Sequence, residues 1–466
     1  MESVTERGPA GLVRRTWVGR LAVLGVVSFL VAMLWPPGMA FSTPASGRTR
    51  VLAPRYGVPD LGRSLLNPAP GAGSTPALAV HTNVPSPGST SSQLVGDACT
   101  SASNCWAVGT YDNVAGATLN QALHWNGTAW SQATTPNPGG TASGDRSELR
   151  RIACPSSTRC WAVGDYKPSG GAQLNQILRW NGTTWSQATT PNPGGTTSSS
   201  QSQLLGVYCT STSNCWAVGA YVNGSGATLN EILRWNGSQW SKVKAPQPGG
   251  ISSPDDASEL LEVACSSGSN CKAVGVYGNS SGALLNEGLR WNGTKWSTVP
   301  MPDPGTTASA AVNLLLSVSC TSATNCWAVG VYIKYDATKA VLNEILHWNG
   351  TRWALVKAPH PGLAGNNQGS LLQNVRCTSA SNCWAVGEYQ NLSAAIVNQA
   401  LHWNGNTWSL VSTPNPGGTG NSSDSSMLQG VDCSTASSCW AVGSYKSGSN
   451  TLNEALRWKG GSWSVG

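Results

Sequence analysis

Fourteen cysteines stand in seven C-x5-C pairs: Cys99/Cys105, Cys154/Cys160, Cys209/Cys215, Cys265/Cys271, Cys320/Cys326, Cys377/Cys383 and Cys433/Cys439. A dithiol six positions apart invites a metal or redox reading. Zinc sites, however, use C-x2-4-C spacings and four ligands, and no histidine recurs beside these pairs in every copy. A disulfide across a hairpin suits the spacing better, closing a seven-residue loop for roughly 2 kcal/mol. Since no cysteine is left over, the set reads as a disulfide framework built in an oxidising compartment. Neither a metal nor another cofactor is expected.

Two further patterns resemble chemistry. In the run "LNEILRW" the third position is Glu231, Glu287, Glu344 or Glu454 in four copies and Gln121, Gln176 or Gln399 in three. Glutamine cannot serve as a general acid or base, so the shared property is hydrogen bonding. Three positions on, His124, His347 and His402 alternate with Arg179, Arg234, Arg290 and Arg457, which argues against a metal ligand. An asparagine opens every one of these runs (Asn120, Asn175, Asn230, Asn286, Asn343, Asn398, Asn453), consistent with a turn or inter-unit hydrogen bond. Sequons at Asn126, Asn181, Asn236, Asn292 and Asn349 coincide with Asn-Gly turns, whose geometry accounts for them without glycosylation.

The elements that position these residues follow from periodicity. First cysteines fall at 99, 154, 209, 265, 320, 377 and 433, a period of 55 to 57 residues filled with short apolar runs. Such regularity indicates a solenoid or propeller. In the third copy, "LLGVYC", "CWAVGAY", "LNEILRW" and "SQWSKVKAP" parse as four strands. Asn236-Gly237 between the last two predicts a type I′ hairpin turn. Seven four-stranded sheets in a line would expose edges, and radial closure protects them. The expected fold is therefore all-β: a seven-bladed propeller with one disulfide per blade, spanning 77–466. The segment "ALAVHTNVPSPGS" repeats the end of a unit and is expected to complete or extend the last blade. Twenty tryptophans lie within the repeats, against two phenylalanines in the chain. Each one buried removes ~200 Å² from water, about 5 kcal/mol, so they read chiefly as inter-blade core, with sugar stacking as the functional alternative. Pairs such as Trp235 and Trp240 are expected to meet across their hairpin. Lys272 stands where six units have tryptophan.

Ahead of the repeats, residues 1–40 carry Arg14, Arg15 and Arg20 before "LAVLGVVSFLVAMLW" and a Gly38-x-Ala40 cleavage pattern, the form of an export signal, with a retained anchor as the alternative. The fifteen-residue apolar run is shorter than the ~20 needed to span a bilayer. Residues 41–76 read as a Pro/Gly/Ser-rich linker. Without residues 1–40 the formal charge is 24 − 19 = +5, and charged residues make up 11% of the chain. No basic block in the repeats offers a nucleic-acid footprint.

The stretch "CWAVGAY…LNEILRWNGSQWSKV" resembles the kelch repeat, and "L-x-x-V-x-C…CWAVG…W-N-G-x-x-W" is similar to Asp-box (BNR) propeller repeats of bacterial sialidases. One glycine replaces the kelch pair, asparagine replaces the Asp-box aspartate, and the cysteines belong to neither pattern. The resemblance implies a propeller over 77–466 and supplies no sialidase machinery.

Candidate binding residues therefore come from positions that differ between units: Asp256, Tyr335 and Asp336 in loops, and Arg151, Tyr208, Glu262, Arg376 and Asp432 on the innermost strands near a channel mouth. The expected function is an exported, non-catalytic, monomeric binding module for a glycan or a surface protein, with no nucleic acid partner and no membrane contact beyond an N-terminal anchor. A glycoside hydrolase or lyase on the same scaffold is the alternative.

Overall fold

The computed structural model describes residues 84–88, 90–334, 339–362 and 369–466. The export-signal and linker segments lie outside these, as do Tyr335 and Asp336. Among the described residues are twenty-eight strands, β1–β28 in chain order, and no helix. They form seven successive four-strand antiparallel meanders.

The third unit shows the plan. β9 (Ser202–Ser211), β10 (Asn214–Val222), β11 (Thr228–Trp235) and β12 (Trp240–Lys242) pair in order. Consecutive residues Trp216, Ala217 and Val218 of β10 are all completely buried, because neighbouring units cover both faces of the sheet. A single parallel bridge joins each unit to the next, for example Thr228 to Ala257 and Leu284 to Val312. Between Thr118 and Arg146 the same bridge merges the first two units into one eight-stranded sheet. The innermost strands β1 (Ser92–Ser101), β5 (Arg146–Ser156), β9, β13 (Ser258–Ser267), β17 (Asn313–Ser322), β21 (Ser370–Ser379) and β25 (Ser426–Thr435) line one central cavity. Sheets arranged radially about their innermost strands are the β-propeller architecture.

The first and last units touch. Thr451 N donates to Thr90 O at 3.0 Å, and Asn453 Nδ2 donates to Pro85 O at 2.6 Å. Trp125 packs on Trp440 at 4.8 Å, with Val84 buried in the same cluster. The fourth strand of the last unit is β28 (Trp463–Val465), with Trp463 paired to Trp458 across a short hairpin. The segment expected to complete or extend this unit lies, up to residue 83, outside the described residues.

Seven disulfides, one per unit, span the first hairpins: Cys99–Cys105, Cys154–Cys160, Cys209–Cys215, Cys265–Cys271, Cys320–Cys326, Cys377–Cys383 and Cys433–Cys439. Cys99 stands directly opposite Cys105 in register, with 4.0 Å between their Cα atoms. This is the bonding state of a chain folded under oxidising conditions. The two halves of each bridge differ in surroundings. The second cysteines, Cys105, Cys160, Cys215, Cys271, Cys326, Cys383 and Cys439, are buried to within 1% of full exclusion from solvent. Each sits on the second strand of its unit, between two ladder partners and under a neighbouring sheet: Cys215 shares a buried cluster with Trp161 of the preceding unit, and Cys271 with Trp216. No ligand can reach these sulfurs, so they belong to the core and not to a binding surface.

Tryptophans fill the seams between units: Trp216 lies 4.9 Å from Trp291 and edge-on to Trp296 at 5.3 Å in the next unit. Trp235 pairs with Trp240 in register, 5.9 Å between centroids.

The Asn-Gly turn departs from expectation. Gly237 has φ of +101°, but Asn236 is not among the residues of positive φ, so the turn is not type I′. Asn236 Oδ1 accepts from Ser238 N at 2.9 Å, Gln239 N at 3.0 Å and Ser238 Oγ at 2.8 Å. The side chain thus builds a four-residue loop between Trp235 and Trp240, and these bonds hold Asn236 at negative φ.

Candidate functional site

Residues three before or one before the first cysteine of every innermost strand border the central cavity of ≈140 Å³. The first and fifth units place only small residues there, Gly96 and Ala98, and Ser317 and Ser319. The fold brings Arg151, Tyr208, Glu262, Arg376 and Asp432 together at this cavity, with Asn374 beside them. Arg151 Nε lies 3.1 Å from Glu262 Oε2, and its Nη1 donates to Val95 O at 2.5 Å. Arg376 Nε lies 2.7 Å from Asp432 Oδ1. Tyr208 packs partly against the apolar clusters on either side. Cys99, Cys154 and Cys209 also contribute to the wall, whereas their bridge partners Cys105, Cys160 and Cys215 stand one strand behind it.

Several polar groups also close the cavity wall. An innermost strand has no ladder partner on its channel side, leaving amides that need acceptors. Asp432 Oδ2 accepts from Cys99 N at 2.6 Å, linking last unit to first. Ser317 Oγ accepts from Val375 N at 3.2 Å and Ser319 Oγ from Cys377 N at 3.1 Å.

Burial governs the charges. It pushes Glu262 up to about 7 despite the Arg151 guanidinium. Burial likewise raises Asp432 against the pull of Arg376, while Asp432 in turn raises Arg376. Asp97, which sequence reasoning missed, lines the same cavity. Both of its carboxylate oxygens are buried and lack a well-formed hydrogen bond. Burial first, then repulsion from Asp432, lifts its pKa well above the ordinary 3.8. Its signal in the sequence is its column, two before the cysteine, where the other six units carry Ile152, Val207, Val263, Val318, Val375 and Val431.

Asp256 does not join this cluster. Its Oδ2 accepts from Ser252 N at 2.7 Å and Ser253 N at 3.0 Å, holding its own loop. Asp145 and Asp424 do the same in their units, accepting from Ala142 N and Gly420 N. The repetition marks Asp256 as loop scaffold.

The remaining repeat residues are engaged internally. Asn175 Nδ2 donates to Glu231 Oε1 at 2.6 Å in the next unit, Asn286 to Glu344 at 2.6 Å and Asn398 to Glu454 at 2.5 Å. These glutamates are fully buried, and burial lifts each well above the ordinary carboxyl range. The histidine-or-arginine column stacks on tryptophan: His124 lies 4.5 Å from Trp106, and Arg234 lies 5.1 Å over Trp216. Among the described residues no group of three His, Cys, Asp or Glu is placed to hold a metal.

No family model and no curated protein matches the chain. Among solved structures it is similar to the BP39L lectin from Burkholderia pseudomallei, at 10% identity over 80% of this chain and 98% of that one, with a TM-score of 0.48. A second is the β-propeller domain of the Trilobed protease from Pyrococcus furiosus, at 7% identity, 80% and 96% coverage and a TM-score of 0.44. A third is the SapL1 lectin in complex with alpha methyl fucoside, at 12%, 68% and 94%, and 0.38. At these values the architecture rests on the strand pairing and not on the likenesses.

Proposed function

We propose that the chain is an exported, non-catalytic binding module: a closed seven-bladed ring, stapled blade by blade with disulfides, that holds a glycan at the cell surface. The observation that carries this reading is where the repeating and non-repeating side chains go. Disulfides and tryptophans recur in every or nearly every unit, the Asn–Glu pairs reach into four, and all are engaged in internal contacts. Side chains that differ between units are those at the channel mouth and on the loops joining units. A rigid scaffold bearing dissimilar loops is the usual arrangement for recognition.

The hydrolase alternative draws support from one feature, the neighbouring carboxyls of Asp97 and Asp432, since paired acids with displaced pKa values suit acid–base work. Against it stands size: ≈140 Å³ is below the roughly 300–1,000 Å³ of small-molecule sites. The test applies the full-length protein to a glycan array and assays the same glycans for cleavage. Retained ligand without turnover is the expected result. Turnover abolished in one step by Asp432→Asn would establish the enzyme instead, and an array silent throughout would sink the glycan reading.

A further inference from the structure

On the opposite side of the third unit from its disulfide lies a groove of ≈570 Å³, within the range that accommodates a saccharide. Its apolar surface comes from Tyr221, Leu229 and Ile251, and its polar groups from Lys242 and Lys244. Lys242 Nζ sits 4.2 Å over the Tyr221 ring and 3.1 Å from its hydroxyl. Ile251 is 56% exposed, yet it is held in place: its carbonyl accepts from Asn223 Nδ2 at 2.9 Å and Ser225 Oγ at 3.0 Å. Gln247, also on the wall, is occupied, accepting from Asn230 N at 2.7 Å and donating to Asn230 O at 3.1 Å.

What distinguishes this groove is its departure from the repeat. Each unit places a tyrosine at the position of Tyr221. Where the third unit has Lys242 and Lys244, the first has Gln132 and Thr134, the second Gln187 and Thr189 and the fifth Leu355 and Lys357, so the lysine pair is the departure. Where it has Ile251, four units have Thr141, Thr196, Thr307 and Thr419. Three changes on two chain segments converge on one groove, adding two positive charges and an exposed aliphatic side chain beside an aromatic ring. The buried Glu231 is held toward its neutral form by burial, with its bond from Asn175 and then the Lys242 charge pulling the other way. Asp256 is turned back onto its own loop.

We propose that this groove binds an anionic saccharide, a pyranose bearing a carboxylate or sulfate. The sugar's apolar face lies against Tyr221 and Ile251 as Lys242 swings from the ring to the anionic group beside Lys244. The inference rests on the glycan-binding reading above and narrows it to charged sugars at one unit. No covalent chemistry is involved.

The experiment titrates full-length protein with oligogalacturonate, a sulfated oligosaccharide and a neutral oligosaccharide of equal length, and repeats this with Lys242→Gln/Lys244→Thr. Those replacements are the residues the first two units already carry, so the strand tolerates them. Expected is anion-selective binding that weakens at least about tenfold in the variant, the loss of one charge-assisted hydrogen bond, and that falls with salt. The carboxylated and sulfated arms report which anion is preferred. Tyr221→Ala is expected to weaken the same ligands through lost stacking. Equal binding of neutral and anionic sugars, or binding unchanged in the double variant, would overturn the groove while leaving the glycan reading intact. No binding in any arm would overturn both.

Discussion

Replacing Asp97 with valine should stabilise the protein. In the other units the residue two before the first cysteine enters an apolar seam: Val263 lies with Trp216 and Trp291, and Val431 with Trp384 and Trp463. The corresponding seam between the last and first units, around Trp440, Trp125 and Val84, has no such residue. Asp97 instead presents two buried oxygens that lack a well-formed hydrogen bond, with the Asp432 amide and the Arg151 and Arg376 charges offsetting only part of the cost of burial. An unsatisfied buried polar group costs about 1–3 kcal/mol, and a buried valine contributes about 1.5 kcal/mol or more. Asp97→Val is therefore worth about 3 kcal/mol at low pH. With an unfolding entropy of about 2.1 cal/mol/K per residue over residues 84–466, that corresponds to a rise in Tm of roughly 4 °C. The pH dependence follows from the sign of the shift. The folded-state pKa lies above the ordinary 3.8, so the folded protein binds the proton more tightly than the unfolded chain. Wild-type stability is then fullest below 3.8 and declines by about 1.4 kcal/mol per pH unit up to the raised value. The advantage of the variant should widen as pH rises. Calorimetry of both proteins at pH 4, 6 and 8 measures this. A variant that melts below the wild type at pH 8, or an advantage that does not grow with pH, would refute the account of Asp97 as a charge whose burial its neighbours only partly offset.

Glu231→Gln should leave the fold intact at pH 5 and stabilise it at pH 8, because Asn175 keeps its acceptor while a buried acid is removed; melting curves of the variant should be flatter in pH than those of wild type. The same logic applies across the molecule, since burial raises Glu259 to about 7 and Glu388 to about 8 from 4.5. Stability these groups contribute below pH 4.5 is lost as pH climbs through their raised values, so the wild-type Tm should fall between pH 5 and 9. Lys272 is 1% exposed, sits 4.6 Å over Trp348 and pairs in register with Arg290. Burial, then the Arg290 charge, brings it from 10.5 down to about 8. The folded state thus holds that proton less tightly than the unfolded chain, and Lys272→Met should gain up to about 3 kcal/mol at pH 7. That gain should shrink toward pH 10, which chemical denaturation at the two pH values will test.

The strands, the disulfides and the tryptophan pairs were legible in the sequence because each obeys a local rule stated seven times. The turn type was not. Asn-Gly reports that glycine will take positive φ, but whether asparagine follows depends on its side chain, and here Oδ1 captures the amides two and three residues on. Asp97 was hidden by a different mechanism. A β-bulge between Leu94 and Gly96 resets the two-residue alternation, so the face to which Asp97 points cannot be counted along the strand. The groove of the third unit was invisible as well, since it needs Ile251 from the next connection beside Lys242 from the fourth strand. The register of the parallel bridge at Thr228 and Ala257 brings those segments together.

The repeat also separates scaffold from function among the residues that break it. Lys272 departs from tryptophan, but its unit departs elsewhere too: Gly288 replaces the isoleucine or alanine of other units, and a Cβ there would collide with Met301 Sδ. Met301 fills the space left by Gly288, while Lys272 sits over Trp348 and donates to Asn270, so these departures are engaged in internal packing. Lys242, Lys244 and Ile251 lie at the surface, where the substitutions found in other units are equally compatible with the strand. Lys242 eases the burial of Glu231, but that gives no reason for Lys244 and Ile251 to join it in one groove. Asp97 stands between these cases, partly exposed as a residue but with both carboxylate oxygens buried at the channel wall. If Asp97→Val stabilises the protein while altering binding in the glycan assay, the channel mouth joins the groove as a proposed site where stability is given up for recognition. If it stabilises without altering binding, the charge at that seam has no part in recognition and the loop face alone carries it.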